Sequence, residues 1–67
     1  MSVNFDVIEG KYKEYKGALL SRWAKLTDDD LELAQGKRDM LAGKLQQRYG
    51  IARDAAEAQL DEWIRSL

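Results

Sequence analysis

The amino-acid sequence predicts an all-α fold of four to five short helices, arranged as two packed α-hairpins with an internal duplication. Three observations carry this prediction. Apolar residues recur at helical steps in three segments; proline is absent, while Ala, Leu, Lys, Glu, Gln and Arg dominate; and one set of residues returns at a fixed offset. With 67 residues, 45% of them hydrophobic, the chain has material for one core and too little for two. Residues 1–67 are therefore expected to form a single small domain.

In the first segment Phe5, Ile8, Tyr12, Tyr15, Leu19, Trp23 and Leu26 follow steps of 3, 4, 3, 4, 4 and 3. At about 100° per residue these positions share one face of a helix, while Asp6, Lys13, Glu14 and Ser21 point elsewhere. Asn4 is placed to cap the first free backbone N–H groups. A second helix starts at Thr27: the threonine caps it, Asp28, Asp29 and Asp30 meet the positive end of its dipole, and Leu26 can staple to Leu31. Its first piece ends near Gln35 and Gly36. Leu41, Leu45 and Tyr49 carry the next stripe, and Gly50 stands where a left-handed residue closes a helix. The last helix opens between Ala52 and Asp54, with Asp54 and Glu57 at capping-box spacing, and buries Ala56, Leu60, Trp63 and Leu67. The expected core is Trp23, Leu45, Tyr49, Leu60 and Trp63, and the expected helix cap is Thr27 with Asp30.

The duplication is visible as Gly10 with Gly36, Lys11 with Lys37, Gly17 with Gly43, Leu19 with Leu45, Arg22 with Arg48, Trp23 with Tyr49 and Asp28 with Asp54, every pair 26 residues apart. Two helix-turn-helix units packed across one another would pool their apolar stripes, since neither could bury its face alone. The matched glycines call for a reason, because glycine inside a helix costs roughly 0.8–1 kcal/mol against alanine. Either they end or bend helices and let backbones approach, or Gly10, Gly17, Ser21 and Ala24 form a small-residue face for a partner helix. Gly10 and Gly17, together with Lys37 and Arg38, are the candidate interaction surface.

Composition excludes several kinds of chemistry. Cys and His are both absent, which removes thiolate nucleophiles, soft zinc ligands and the usual proton shuttle. Ser2, Ser21, Ser66 and Thr27 have no histidine to activate them, and a water-excluding cleft for a Ser–Lys pair is not expected in so small a domain. Asp61 and Glu62 are neighbours on a helix and point apart. The triple aspartate is read as a helix start rather than a calcium loop, which would alternate its ligands around a turn-forming glycine. No catalytic residue, cofactor or metal is therefore expected.

The 11 basic and 12 acidic residues leave a formal net charge of −1, which suits a solvated surface. The alternative function is a nucleic-acid-binding helical module using Lys11, Lys13, Lys16, Arg22 and Lys25, then Lys37, Arg38, Lys44, Arg48 and Arg53, with aromatic residues interleaved. A pI near 5.3 and the carboxylates on the same helices disfavour it. Membrane or dehydration protection by a partly disordered amphipathic chain is a third class, disfavoured by aromatic residues set on helical stripes. No segment has the length of apolar sequence that a span requires, and residues 1–6 lack the apolar core of a signal peptide, so a cytoplasmic location is expected. A protein partner, and a monomer or weak homo-oligomer, fit this surface.

The runs Lys25-Leu26-Thr27-Asp28-Asp29-Asp30-Leu31, Gly36-Lys37-Arg38-Asp39, Gly43-Lys44-Leu45-Gln46 and Arg48-Tyr49-Gly50, in this order and spacing, resemble the pattern of the CsbD-like family of small bacterial general stress-response proteins. Gly10, Lys11 and Gly17 extend it upstream, and Asp54, Glu57 and Trp63 downstream; Ala18, Ala24 and Met40 depart from the pattern. The resemblance implies a bundle of four or five short helices, induction under stress or in stationary phase, and a non-enzymatic role, with no catalytic residues to carry over.

Overall fold

A computed structural model describes residues 4–67. Among them it contains five helices and no strand: α1 (Phe5–Gly10), α2 (Tyr12–Arg22), α3 (Asp28–Ala34), α4 (Arg38–Tyr49) and α5 (Arg53–Arg65). Each helix packs on its neighbour in the chain, α1 on α2, α2 on α3, α3 on α4 and α4 on α5. The duplication is structural as well as sequential. Shifting α2 by the repeat offset lands on α4, and shifting α3 lands within α5, so the chain contains the α2–α3 and α4–α5 hairpins in the same order.

The expected long first helix is divided. The apolar stripe runs from Phe5 to Leu26 without a gap, yet the backbone leaves helical geometry at Lys11 (φ −129°, ψ 31°), between α1 and α2. The bend turns Ile8 into the core, where it is fully buried. It also lays the α1 backbone across Gly36. That glycine is not in a helix interior: it sits in the turn after α3 at φ +76°, and a Cβ there would lie 2.7 Å from the Ile8 carbonyl oxygen and 2.9 Å from Glu9 Cα. Only glycine satisfies both the left-handed backbone and the close crossing. Gly17 and Gly43 differ, being inside α2 and α4 with nothing within 4 Å of an added Cβ. Neither close packing nor backbone geometry within the chain requires glycine at these two places.

The α3 start follows the sequence pattern closely. Thr27 Oγ1 accepts from the Asp30 N–H at 3.2 Å, and the Asp30 carboxylate accepts from the Thr27 N–H at 3.1 Å, which closes a reciprocal box. Asn4 Oδ1 accepts from the Val7 N–H at 3.0 Å and caps α1. Gly50 ends α4 at φ +64°, its N–H donating to the Gln46 carbonyl. The box expected at Asp54 and Glu57 does not form. Ala52 is the residue before α5 and supplies no side-chain cap, and Glu57 instead accepts from Arg53 Nε at 2.9 Å. With Arg53 as the first helical residue, Asp54 lies inside the first turn, where its charge meets the dipole but its side chain does not cap.

The core lies between the two hairpins. Trp23, Leu45 and Leu60 are buried, as is Trp63, whose ring meets that of Trp23 edge to face at 5.7 Å between centroids and 61° between planes. The Trp23 indole N–H donates to Gln59 Oε1 at 3.0 Å, so the ring is buried without stranding its donor. Tyr49 is half-buried, with its hydroxyl accepting from the Lys25 N–H at 3.1 Å. Leu67, expected at the end of the last stripe, is 41% exposed because α5 stops at Arg65.

Two sets of variants test this packing by thermal and urea denaturation. Gly36→Ala is expected to cost roughly 1–3 kcal/mol through its left-handed backbone, whereas Gly17→Ala and Gly43→Ala should each add about 0.5–1 kcal/mol. Trp23→Ala should remove about 3–5 kcal/mol, comparable with the roughly 3–5 kcal/mol that a domain of this size holds. Near-UV dichroism should then show loss of fixed tertiary structure, and a natively packed Trp23→Ala protein would contradict the central place of this ring.

Candidate functional site

The polar framework of the fold decides which charged residues are free to act. Asp30, on the first turn of α3, is only 2% exposed. Its carboxylate is gripped from α4 by the Arg48 guanidinium in a two-pronged pair, Nε to Oδ2 at 2.8 Å and Nη2 to Oδ1 at 2.9 Å, with Lys44 Nζ 3.7 Å from Oδ1. Lys44 and Arg48 lie one turn apart on α4 and so reach the same point. The Arg48 hydrogen bonds outweigh the burial that would raise the pKa, and with the Thr27 amide they hold the carboxyl at about 2 against an ordinary 3.8.

A second two-pronged pair ties α4 to α5: Arg38 Nε and Nη2 each donate to Asp61 at 3.0 Å, with Glu57 at 3.8 Å from Nη1. The Asp61 carboxyl is held below its usual value by these hydrogen bonds from Arg38. Arg53 reaches both Glu57 and Asp39, and Lys16 lies 3.4 Å from Asp28. Lys16, Arg38, Lys44, Arg48 and Arg53 are thus all engaged by carboxylates within the fold.

The candidate interaction residues fall in two places. Gly10 and Gly17 are exposed, as are Ser21 and Ala24, and open space surrounds both glycines. Lys37 and Arg38 line an open groove of about 450 Å³ between α1 and the start of α4, together with Phe5, Asp6, Glu9, Asp39 and Met40. Phe5 is half-buried and Met40 is 45% exposed, so the groove has an apolar floor between charged rims. Within it Lys37 is exposed, while Arg38 spends its guanidinium on Asp61. The structure brings neither Gly10 nor Gly17 into the lining of this groove.

Trp23, Trp63 and Tyr49, interleaved with the basic residues, face inward or are covered. Trp23 and Trp63 are 1% and 7% exposed, Arg22 lies over the Trp23 ring at 5.0 Å, and Lys25 over the Tyr49 ring at 5.2 Å. The two buried indoles present no open face on which a nucleic-acid base could stack, whereas Tyr12 is half-buried. Among the described hydroxyls, Ser66 Oγ donates to the Trp63 carbonyl at 2.6 Å and Thr27 serves the helix cap. Ser2 lies outside the described residues. Among the described residues no group of three acidic side chains is placed to hold a metal ion, and no helix is long and apolar enough to cross a membrane.

The profile of the CsbD-like family matches residues 6–58. The chain belongs to the CsbD-like family. The matched span runs from α1 into the first turns of α5 and includes the Asp30 junction and all of the groove lining except Phe5. Among its relatives, the UPF0337 protein YjbJ of Escherichia coli O6:H1 is 48% identical over 61 residues, covering 91% of this chain and 88% of the relative. YjbJ of Escherichia coli K12 is 46% identical over the same shares, and a UPF0337 protein of Pseudomonas aeruginosa is 46% identical over 91% of this chain and 94% of its own length.

Several residues of the framework were not singled out by sequence reasoning. Arg48 as the partner of Asp30, Asp61 as the partner of Arg38, and Gln59 as the acceptor for Trp23 lie 18, 23 and 36 residues away along the chain. No local pattern announces such pairs. Aspartate in place of the usual glutamate at the third position of the α3 start was the one available signal, since its shorter reach keeps the carboxylate against the core.

The Asp30 junction makes stability depend on acid. A carboxyl held below its unfolded value of 3.8 contributes fully above that pH, and the contribution is lost as pH falls toward about 2. From these two values the effect is on the order of 1–2 kcal/mol, allowing for the water around Arg48. Urea denaturation between pH 6 and pH 2 should show this decline, and Asp30→Asn should flatten it while costing about 2–3 kcal/mol at neutral pH. An unchanged acid slope in Asp30→Asn would assign the loss to other groups.

Proposed function

We propose that this CsbD-like protein is a non-enzymatic, stress-associated helical module that works through its surface in the cytoplasm, as an interaction or protective protein. The whole chain, residues 1–67, acts as one unit in this reading. The observation that carries it is the groove between α1 and α4. There an exposed lysine and an exposed methionine stand beside a half-buried phenylalanine, whereas much of the other charge is spent inside the fold. An apolar floor with a charged rim is the composition of a protein-binding patch, and Lys37 is its available cation. The stress association is what the family resemblance implies. The absence of histidine and cysteine, and the engagement of Thr27 and Ser66 in helix ends, support a role without catalysis. The carboxylate partners of the basic residues and the burial of both indoles favour a protein partner over nucleic acid.

The test is complementation in a bacterium lacking its own CsbD-like genes, scored as survival in stationary phase and under osmotic stress. The wild-type chain is expected to restore survival. Lys37→Glu with Met40→Ser should not, while keeping the far-UV helix signal and melting temperature of the wild type. Charge reversal belongs at Lys37 alone, because reversing Arg38 would also break the α4–α5 pair with Asp61. Full complementation by the groove variant would remove the groove from the function.

A further inference from the structure

We propose that α1 exchanges between two copies of this chain, each α1 seated on the other copy's Gly36 with the hinge at Lys11 straightened. This goes beyond the surface reading above, since it concerns assembly of the protein with itself. α1 and α2 are separated by one non-helical residue, Lys11, which ends the first helix and begins the second without a side-chain cap for α2. The sequence pattern has no break there. Phe5, Ile8, Tyr12, Tyr15, Leu19 and Trp23 lie on one face if the helix is carried straight through at about 100° per residue.

The same segment therefore supports two conformations. Bent at Lys11, it puts Ile8 into its own core, where that side chain is fully buried. Straight, it carries Ile8 past the end of α2 at about 1.5 Å per residue and leaves its former seat open. The seat is specific. It consists of the space Ile8 fills and the bare backbone of Gly36, which approaches the Ile8 carbonyl so closely that a Cβ would lie 2.7 Å from the oxygen. A second copy of α1 meets those requirements by construction. Exchange keeps every docking contact and adds helical continuity at two hinges, set against the entropy of association. The equilibrium is accordingly governed by concentration and by helix propensity at the hinge.

Sedimentation velocity of the full chain, from micromolar to millimolar, reads this equilibrium. The expected result is a reversible monomer–dimer system. Gly10→Ala with Lys11→Ala, which favours the straight hinge, should strengthen dimerisation severalfold, and Lys11→Gly should weaken it about tenfold through two hinges per dimer. Gly17→Ala should leave the constant unchanged; a large loss there would assign association to the glycine face of α2 and overturn the proposal. Placement of α1 is read by cross-linking. Asp6 and Met40 line the same groove, and the chain has no cysteine, so an affinity-tagged Asp6→Cys chain is mixed with a Met40→Cys chain and treated with a short bismaleimide. Exchange predicts a covalent heterodimer whose yield follows the sedimentation constant. A dimer without that cross-link, or a straightened variant that stays monomeric at millimolar concentration, refutes the proposal.

Discussion

The junction at Asp30 is the constraint on which the arrangement of helices depends. Burying a carboxylate in a protein of this size is costly unless its charge and its lone pairs are both met. Here they are met by the Thr27 amide at the start of α3 and by Arg48 and Lys44 on α4. The pairing fixes the register of α3 against α4, and hence the direction in which α4 presents Leu41 and Leu45 to the core. With the register fixed, the Arg38–Asp61 pair can fasten α4 to α5, and Trp23 can close over Trp63 with its N–H on Gln59. Buried side-chain polar atoms without a partner are absent among the described residues. A chain without cysteine thus obtains its specificity from a few well-satisfied polar contacts set into a leucine and tryptophan core.

This use of charge also shapes the outer surface. Five basic side chains turn toward carboxylates of neighbouring helices, which lowers the contrast of the remaining field and leaves small features exposed. The most distinctive of them is the α1–α4 groove, where Phe5 and Met40 interrupt a polar rim. CsbD-like membership places this groove in a family context, because the profile covers nearly all of its lining. Only Phe5, one residue before the match begins, lies outside.

Helical content, the α3 cap, the left-handed closure at Gly50 and the buried positions of Trp23, Leu45, Leu60 and Trp63 were legible because each rests on contacts within a few residues or on periodicity. The bend at Lys11 was not. Its stripe satisfies an unbroken helix, and the reason to bend is tertiary, namely the crossing at Gly36 and the burial of Ile8. Gly36 was legible as a helix end where backbones could approach, but not what it approaches: that backbone lies 27 to 28 positions earlier in the chain, beyond any local pattern. At the last helix, Asp54 and Glu57 have the spacing of a box, but the helix begins two residues too early for Asp54 to cap it. Lys37 and Arg38 read as equivalent surface cations, and only the fold separates the exposed one from the one bound to Asp61.

The duplication gives these contacts a further meaning. At the repeat offset, Asp30 corresponds to the fully buried Ala56, Lys44 to Ala18, and Arg48 to Arg22, which stacks on a tryptophan instead of gripping an acid. The two hairpins share a blueprint, yet only one bears the ionic clasp. Identical halves would have offered degenerate pairings in which either could take the other's berth. Divergence at two sites, with different work for the arginine both halves keep, gave each half its own address within the chain.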